Sequence, residues 1–524
     1  MKLINLLIGM LISLMLMAGV ASESRAGVIA SNLGEVLDSA NGDEDLSVIV
    51  TFRNTVDLHQ FRAIDPKPRR SLMIKALKKR TDTIKASILG LLPAEKSRKV
   101  LSLWIINGIA LKVPPGIVKA LASNPDVEEV RLDYVITLPE ETQDSSAEAE
   151  WNVSAMGARE LWALGFDGQG VVVANMDSGV DYLHDDLFGR WRGGSNSWFD
   201  PYGEHSTPYD GHTYGHGTGT MGIMVGGDAG GTSIGVAPGA QWIAVKIFND
   251  DGDALVSRIH QGFQWLLDPD GNPDTDDAPR VVNNSWTYNA PDSCISEFQT
   301  DIASLKAAEI AVVFAAGNYG PDELSSASPA NNSGGFSVGA VDVVYNAASF
   351  SSRGPSACDG GIFPHVVAPG VSIRTSCPTT LESCHDSYAY GSGTSFAAPH
   401  VAGAMALLLS AFPNLSVAQL EQALIDSASD LGEPGPDNTY GYGMIDVFQA
   451  YNLIAAALDP CEGDINGDTA VDEGDLQLFT VRFGAMNCDG GAGCAEDLDG
   501  DASVDIKDLN ILALEFGRTD CPIF

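Results

Sequence analysis

Residues 171–179, Val-Val-Val-Ala-Asn-Met-Asp-Ser-Gly, decide the fold of this 524-residue chain. The first six side chains are mostly apolar, and a strand that is apolar on both faces is typical of a buried parallel sheet. Residues 311–316 (AVVFAA) form a second such run, and residues 405–412 (MALLLSAF) are apolar on nearly every side of a helix. Short apolar strands and helices alternate throughout this part of the chain. The sequence therefore predicts a doubly wound α/β domain with a parallel sheet over residues 142–458.

Three polar residues lie at the ends of these elements. Asp177 follows the first strand directly, and sites in open α/β sheets gather at the carboxyl ends of strands. His216 begins a glycine-rich helical stretch, and Ser395 precedes the apolar helix. A serine hydroxyl is a poor nucleophile unless a histidine removes its proton, and that imidazole needs a carboxylate to fix its tautomer. The three residue types together predict a nucleophilic triad.

Further motifs accompany the triplets DSG, HGT and GTS that contain these residues. They are residues 236–238 (VAP), 245–248 (VKIF), 350–355 (FSSRGP) and 367–370 (VAPG). The whole set resembles the subtilisin-like serine proteases, the subtilase family, whose chain order is also Asp, His, Ser. The resemblance covers roughly residues 151–450. Residues 268–272 (DPDGN) ahead of residues 281–286 (VVNNSW) are most similar to the bacillopeptidase F branch.

The resemblance implies roles for four residues. Asp177 would orient His216, which would act as general base and then as general acid while Ser395 attacks the scissile carbonyl. Asn318 would form an oxyanion hole with the backbone N–H of Ser395. Gly219 departs from the family pattern, which usually has a second histidine there, but this position is outside the triad. The resemblance thus implies a serine endopeptidase that cuts protein or peptide substrates through an acyl-enzyme, with no cofactor for the chemistry.

The same resemblance implies the substrate-binding positions. Asn284, Ser285 and Trp286 would form an edge strand that pairs with extended substrate backbone, and Gly317 lies beside the oxyanion-hole residue. Two alternatives from other classes are a catalytically inactive calcium-dependent binding or anchoring protein, and a secreted esterase. The intact triad and oxyanion-hole set disfavours the first. The second would show Gly-x-Ser-x-Gly, whereas residues 393–397 are Gly-Thr-Ser-Phe-Ala.

The N-terminus predicts export. Residues 1–26 combine a basic start, an apolar run and small residues, so we expect a cleaved signal peptide and a secreted, extracellular protein without a membrane anchor; a retained anchor is the alternative. The net charge of −39 argues against nucleic acid as a partner. The charge is uneven: residues 1–141 carry 18 Lys and Arg against 16 Asp and Glu, and residues 142–524 carry 12 against 53.

Residues 27–141 resemble the inhibitory propeptide of the family. The pattern predicts strands over residues 46–52, 104–113 and 127–138 and helices over residues 72–91 and 115–123. This is a small α+β unit. The resemblance implies that it assists folding, inhibits the protease and is then cut off. We expect the cut between Leu138 and Glu150, near a linker at residues 143–150.

Residues 459–524 contain a repeat with an offset of 33 residues, from Asp464 to Asp497. Each copy places oxygen side chains at loop positions 1, 3, 5, 9 and 12, the spacing of an EF-hand calcium loop. The predicted ligands are Asp464, Asn466, Asp468, Asp472, Asp475, Asp497, Asp499, Asp501, Asp505 and Asp508.

The repeats predict a small helical calcium-loop module. An Asp at position 12 resembles dockerin-type loops, whereas Thr469 and Ala502 replace the usual glycine at position six. We expect structural Ca²⁺ in these loops, with an acidic turn stapled by disulfides as the alternative. The module would either stabilise the protease or dock to a cohesin-like partner.

Two features have no assigned role at this level. The eight cysteines are disulfide candidates in an exported chain, and Cys377 and Cys384 are close enough for a local loop. Residues 268–277 hold five Asp and no basic residue. A solvated acidic loop is favoured there over a metal site, because no regular ligand spacing is complete.

Overall fold

A computed structural model describes residues 27–40, 44–138, 142–144, 150–212, 214–381, 384, 386–458, 461–486, 495–498 and 502–518. The predicted signal peptide lies outside these residues. The chain divides into a small unit, residues 1–57 and 75–134, and a large unit, residues 58–74 and 135–524. The predicted propeptide range of residues 27–141 therefore contributes to both units.

The small unit is an α+β structure with a five-stranded sheet. Its strands are β1 (Val28–Ile29), β2 (Leu46–Phe52), β3 (Leu101–Leu103), β4 (Gly108–Val113) and β5 (Val127–Leu132). Its helices are α1 (Ser31–Ser39), α3 (Ala94–Ser97), α4 (Pro115–Ala122) and, from Lys75 onward, α2 (Pro66–Leu89). The strand order is β1-β5-β2-β4-β3, with β2 antiparallel to both neighbours. Alternate residues of β2, Val48 and Val50, are buried in the core of this unit.

Two predicted strands differ from the structure. The predicted strand at residues 104–113 begins with a 3₁₀ turn, Trp104–Ile106. The predicted strand at residues 127–138 is two strands, with a break at Asp133 and Tyr134. The second strand, β6 (Val135–Thr137), belongs to the large unit. Neither Gly nor Pro marks this break, so the apolar alternation continues through it.

The large unit is built on a parallel sheet. Its strands are β6, β7 (Thr142–Asp144), β8 (Val172–Asp177), β9 (Trp198–Phe199), β10 (Gln241–Lys246), β11 (Asp253–Leu255), β12 (Val281–Asn284), β13 (Ala311–Ala315), β14 (Phe336–Val341), β15 (Val366–Pro369), β16 (Ile373–Ser376) and β17 (Tyr388–Ser392). Seven of these pair in parallel in the order β15-β14-β13-β12-β8-β10-β9. The predicted parallel sheet is confirmed.

Helices cover this sheet. They are α5 (Trp151–Ala155), α6 (Ala158–Ala163), α7 (Asp185–Phe188), α8 (His216–Val225), α9 (Val256–Leu267), α10 (Gln299–Ala307), α11 (Thr394–Ala411), α12 (Val417–Asp426) and α13 (Val447–Leu458). Along β13, Val313 and Ala315 join the core that contains α11, whereas Phe314 contacts Trp286 in an aromatic cluster with α9. Alternate side chains thus pack into different cores, which is why the strand is apolar at every position.

Helix α11 is the predicted buried helix. In the described part of the chain it alone is long and apolar enough to cross a membrane, and 89% of its apolar window is buried inside the protein. Burial explains the length, because a helix enclosed by its own sheet is apolar all round.

The C-terminal part contains α14 (Glu473–Arg482) and α15 (Ile506–Glu515), one after each predicted calcium loop. Val471, Phe479, Val504 and Leu512 form a small core between them. Upstream, disulfides join Cys294 to Cys358 and Cys377 to Cys384, which confirms the predicted local loop.

Candidate active site

Asp177 and His216 meet where a strand ends and a helix begins. Asp177 is the last residue of β8 and His216 the first of α8. The Nδ1 atom of His216 lies 2.6 Å from Oδ1 of Asp177, and both side chains are buried. The same Oδ1 accepts the N–H of Ser178 at 2.6 Å. Because Nδ1–H donates to the carboxylate, Nε2 is the basic nitrogen of the neutral ring.

Two glycines let this strand end and this helix start approach each other. A Cβ atom on Gly179, whose φ is +120°, would lie 1.9 Å from the Tyr209 carbonyl oxygen. A Cβ atom on Gly217 would lie 2.1 Å from the Gly179 carbonyl oxygen. A side chain at position 217 would push the start of α8 away from Asp177, and one at position 179 would collide with the segment at Tyr209. The glycine of the HGT triplet therefore permits the close contact between Asp177 and His216.

Ser395 lies in the first turn of α11, and its surroundings fix the backbone around it. Its carbonyl oxygen accepts a hydrogen bond from Ser285 Oγ at 2.8 Å. Thr394, which begins the helix, donates both its N–H and its Oγ1–H to Asn318 Oδ1, each at 2.9 Å. Since Oδ1 is used in this way, Nδ2 carries the donors that Asn318 can offer elsewhere.

A cavity of about 630 Å³ is lined by Ser395, Asn318, Gly317 and Trp286. Two hydrogen-bond donors adjoin it: the Asn318 amide and the backbone N–H of Ser395 in the first turn of α11. Both favour negative charge, because a helix N-terminus adds a positive partial charge to the donors. The cavity can therefore hold a carbonyl group whose oxygen becomes negatively charged beside Ser395.

An extended segment of the chain lines the same cavity. Strand β6 pairs antiparallel with β11, with Ile136 opposite Ala254. The next residue after β6, Leu138, donates its N–H to the Gly252 carbonyl at 3.0 Å. Ile136 and Leu138 are buried whereas Val135 is half exposed, so alternate side chains of β6 point into the large unit. This is how an extended peptide binds by adding a strand to a sheet edge.

A model of the subtilase family matches residues 168–443, which hold Asp177, His216, Asn318 and Ser395. The match covers more than half of the chain. The chain belongs to the subtilase family.

Individual subtilases show the same relation. The chain is 35% identical to bacillopeptidase F of Bacillus subtilis (strain 168) over 439 residues, which are 76% of this chain and 30% of that protein. It is 35% identical to subtilisin BL of Lederbergia lenta over 295 residues, 56% of this chain and 96% of the relative. It is 34% identical to an alkaline protease of Alkalihalobacillus alcalophilus over 326 residues, 62% and 76% of the two chains. The chain thus spans less than a third of the bacillopeptidase.

The predicted substrate-binding residues of this subtilase have different environments. Trp286 and Gly317 line the cavity. Asn284 is the last residue of β12, an inner strand between β8 and β13 rather than an edge strand, and its side chain is buried. Ser285 is buried as well, and its hydroxyl supports the Ser395 backbone. The strand that pairs with an extended segment is β11, which is too short, at three residues, for sequence periodicity to identify.

The sequence analysis also missed Asp210. Its Oδ1 accepts the hydroxyl of Ser178 at 3.0 Å, and its Oδ2 accepts the N–H and the hydroxyl of Thr218 at 2.9 and 2.7 Å. Burial raises the pKa of Asp210, although the hydrogen bonds from Thr218 oppose this shift. Asp210 thereby ties the residue after Asp177 to the turn that carries His216. An acidic residue six positions ahead of HGT was the available signal.

The other histidines near these motifs have structural partners. His184 Nδ1 accepts the N–H of Asp186 at the start of α7, and its Nε2 lies 2.8 Å from the Ser387 carbonyl. His400 Nδ1 lies 2.7 Å from the Phe396 carbonyl, one turn earlier in α11. Burial lowers the pKa of His400 to about 4, so its ring is neutral. These rings therefore hold elements in place.

The first C-terminal loop brings three of its predicted ligands together. Carboxylate oxygens of Asp464, Asp468 and Asp475 lie within 4.8 Å of one another. Asp475 is fully buried and accepts the N–H of Asn466 at 3.0 Å and that of Asp472 at 2.9 Å. Hard carboxylate oxygens in this arrangement fit Ca²⁺.

The second loop repeats the pattern where it is described. Asp508 is buried and accepts the N–H of Asp505 at 2.8 Å, and Asp505 begins α15 as Asp472 begins α14. Within the described residues, Oδ1 of Asp497 is buried without a hydrogen-bond partner, which fits its predicted role as a cation ligand. The predicted ligands Asp499 and Asp501 lie outside the described residues.

Both loops also share the turn at position six. Thr469 has φ +75° and Ala502 has φ +69°, the left-handed conformation that glycine provides in most calcium loops. The loops thus make the sharp turn without glycine. The departure seen in the sequence does not change the path of the backbone.

Proposed function

We propose that this subtilase is a secreted serine endopeptidase, made as a zymogen, in which Asp177, His216 and Ser395 form the catalytic triad. One observation carries the proposal: the Asp177–His216 hydrogen bond lies at the β8–α8 junction of a fold whose large cavity is lined by Ser395 and Asn318. The alternative is that the chain is an inactive binding protein. Such a protein would not need Asp177, His216, Ser395 and Asn318 together.

In the proposed reaction, Oγ of Ser395 attacks the carbonyl carbon of the scissile peptide while Nε2 of His216 takes its proton. Asp177 keeps Nδ1 protonated and stabilises the imidazolium that forms. The substrate oxygen becomes an oxyanion, to which Asn318 Nδ2 and the Ser395 N–H donate. His216 then gives its proton to the leaving nitrogen as the C–N bond breaks. Water attacks the acyl ester by the same steps and restores Ser395.

The substrates would be extended protein or peptide segments. Support comes from β6, whose backbone pairs with β11 along the cavity and whose buried side chains, Ile136 and Leu138, are apolar. Antiparallel pairing reads backbone rather than sequence, so it suits a broad specificity. A pairing partner supplied by the chain itself also suits a zymogen, because a new substrate must displace it.

The N-terminal region would be the inhibitory propeptide, and the expected cut lies beyond Leu138. Between Leu138 and Glu150, where we expect the cut, residues 139–141 and 145–149 lie outside the described residues. Export would depend on the predicted signal peptide. N-terminal sequencing of the protein recovered from a culture medium should place its first residue after Leu138; a first residue ahead of β6 would contradict the zymogen proposal.

The C-terminal loops would bind Ca²⁺ through Asp464, Asp468 and Asp475, with Asp497 and Asp508 in the second loop. The ion would neutralise their negative charges and fix the loops to α14 and α15, and it would take no part in the chemistry. Docking of this module to a cohesin-like partner stays a prediction.

Casein hydrolysis tests the proposed activity. We expect the processed protein to cut casein, and Ser395→Ala to reduce the rate by about 10⁶-fold. The thermal unfolding of each protein is also measured with EGTA and again with calcium restored. We expect EGTA to lower the unfolding temperature. Equal activity of the two proteins, or none in either after a confirmed cut, would favour the binding-protein alternative.

A further inference from the structure

Two oppositely charged segments of the large unit meet away from the cavity. The first is the basic turn, defined as Lys67, Arg69, Arg70 and Ser71 at the start of α2. The second is the acidic loop, residues 268–277, which connects α9 to β12. They lie about 200 residues apart in sequence, and both belong to the large unit.

Three side chains of the basic turn bind the acidic loop. Arg70 Nη2 donates to the Thr275 carbonyl and to Oδ1 of Asp276, both at 2.9 Å. Lys67 Nζ lies 3.0 Å from Oδ2 of Asp276. The Ser71 hydroxyl donates to Oδ1 of Asp274 at 2.6 Å.

A third ion pair joins Arg69 to Glu309. Arg69 Nη1 donates to Oε1 of Glu309 at 2.8 Å, and Arg69 Nε donates to the Ile64 carbonyl at 2.9 Å. The other carboxylate oxygen of Glu309 accepts the N–H of Val417, the first residue of α12, at 2.8 Å. Glu309 is therefore held in place from the protease side, and Arg69 meets a fixed acceptor.

The acidic loop is ordered by contacts of its own. Asp270 accepts the N–H of Asn272 at 2.8 Å and the Thr275 hydroxyl at 2.9 Å. At its far end, Oδ2 of Asp277 accepts from Asn196 Nδ2 at 3.0 Å. Asp274 and Asp276 are the carboxylates that contact the basic turn. Because the other bonds hold the loop in one conformation, these two carboxylates have fixed positions.

The ion pairs are the charged part of this contact. Arg69 and Glu309 line a cavity of about 430 Å³ together with Leu58 and Gly334. Asp276 is 54% exposed, so dissolved ions reach the pairs that it makes with Arg70 and Lys67 and weaken them as the salt concentration rises.

We propose that the acidic loop, with Glu309, is an exosite that retains the N-terminal fragment after the chain is cut beyond Leu138, so that ionic strength sets the release of the fragment and the onset of activity. The inference rests on the proposed protease function. It assigns the acidic loop to binding a basic helix start, in place of the solvated role expected from sequence. It also separates two attachment points, because β6 lines the cavity while the basic turn binds the acidic loop.

The test uses the full chain, allowed to process itself, and follows the cut fragment by size-exclusion chromatography. At 50 mM NaCl we expect the fragment to elute with the protease, and at 500 mM NaCl to separate from it, with a shorter lag before a peptide substrate is cut. Identical elution and lag at both salt concentrations would overturn the proposal. A chain that is never cut would instead contradict the proposed function.

Variants of the fragment assign the effect to the basic turn. We expect Arg69→Ala/Arg70→Ala to release the fragment at least about tenfold faster at 50 mM NaCl. Lys67→Ala should change release by less than about twofold, because its side chain is 82% exposed and that of Arg70 is 11% exposed. The matched control Lys112→Ala/Lys119→Ala removes two exposed charges from the same fragment. Equal release by the two double variants would overturn the assignment.

Variants of the protease side guard against misfolding of the fragment. Asp276→Asn keeps the shape of the loop and removes one charge, and Asp292→Asn is a matched change at an exposed residue outside the loop. We expect Asp276→Asn to release the fragment faster and to respond less to salt, while Asp292→Asn behaves as the unaltered chain. The same salt response in all three proteins would contradict the exosite.

Discussion

The large unit contains two buried histidine–carboxylate clusters that differ in what surrounds the ring. At the β8–α8 junction, His216 gives Nδ1 to one carboxylate, that of Asp177, at 2.6 Å. Between α9 and α10, His260 lies 2.9 Å from Asp301 through Nδ1 and 2.9 Å from Glu297 through Nε2. In both clusters the distance from a ring nitrogen to a carboxylate oxygen is short enough for the histidine–carboxylate hydrogen bond of a catalytic triad.

The difference is the second ring nitrogen. A general base needs one nitrogen oriented by a carboxylate and one that can take a proton from the nucleophile. His260 meets a carboxylate on each side, and although its burial lowers the pKa, the two acids outweigh that effect and raise it to about 9. His260 is therefore a charged cross-link between two helices. A histidine–carboxylate pair indicates catalysis only where the other nitrogen faces a nucleophile.

Substituting each of the two histidines separately should give the largest difference in kcat. We expect His216→Ala to lower kcat for peptide hydrolysis by about 10⁶-fold, because Ser395 then has no base. His260→Leu should keep kcat per folded molecule within about twofold. Near-UV circular dichroism would supply the folded fraction for both variants. Similar losses of kcat would contradict the distinction between the two clusters.

The same two variants should rank in the opposite order when the loss of unfolding free energy is measured instead of the loss of kcat. We expect His260→Leu to lower the free energy of unfolding by about 3–5 kcal/mol, since it leaves Asp301 and Glu297 buried without their cation. His216→Ala should cost less, because only Asp177 loses a partner. Urea unfolding, in a Ser395→Ala background that prevents self-digestion, measures both. A smaller loss for His260→Leu would show that the cluster is not a structural cross-link.

Asn318→Ala probes the cavity beside the triad. We expect kcat to fall by about 10²–10³-fold with KM nearly unchanged, because the amide donates to an oxygen that is charged only in the transition state. Asn331→Ala, a change at a buried asparagine outside the cavity, is the control. A rise in KM with kcat retained would place Asn318 in ground-state binding instead.

The pH dependence of stability should sharpen the role of His260. Its folded pKa of about 9 exceeds the unfolded value of 6.5, so its stabilising contribution is complete below pH 6.5 and is lost as pH rises through 9. The loss amounts to roughly 3 kcal/mol. Urea unfolding from pH 6 to pH 10 should show this slope in the Ser395→Ala chain and a flatter slope after His260→Leu. Parallel slopes would contradict it.

The sequence predicted the features that depend on local residue patterns. Apolar runs predicted β8 and β13, and motif order brought Asp177, His216 and Ser395 into one hypothesis. Local pattern failed where long-range pairing decides the structure. Nothing between residues 127 and 138 signals that the strand breaks and pairs with β11, because its partner lies more than 100 residues away.

Charge patterns were equally incomplete. The five Asp of residues 268–277 were visible in the sequence, but their basic partners lie near residue 70. The role of Asp210 was not predicted, because it depends on hydrogen bonds from the hydroxyls of Ser178 and Thr218, which lie near Asp210 only in the folded protein. The sequence therefore predicts which residues react better than it predicts which residues hold them.

The most direct test of the central claim is to identify the serine that reacts with a fluorophosphonate. The processed protein is labelled, digested and analysed by mass spectrometry, and His216→Ala is treated in parallel. We predict one equivalent of label on Ser395 and almost none in His216→Ala, because the hydroxyl is nucleophilic only beside its base. Label on another serine, or label on Ser395 that does not depend on His216, would contradict the account.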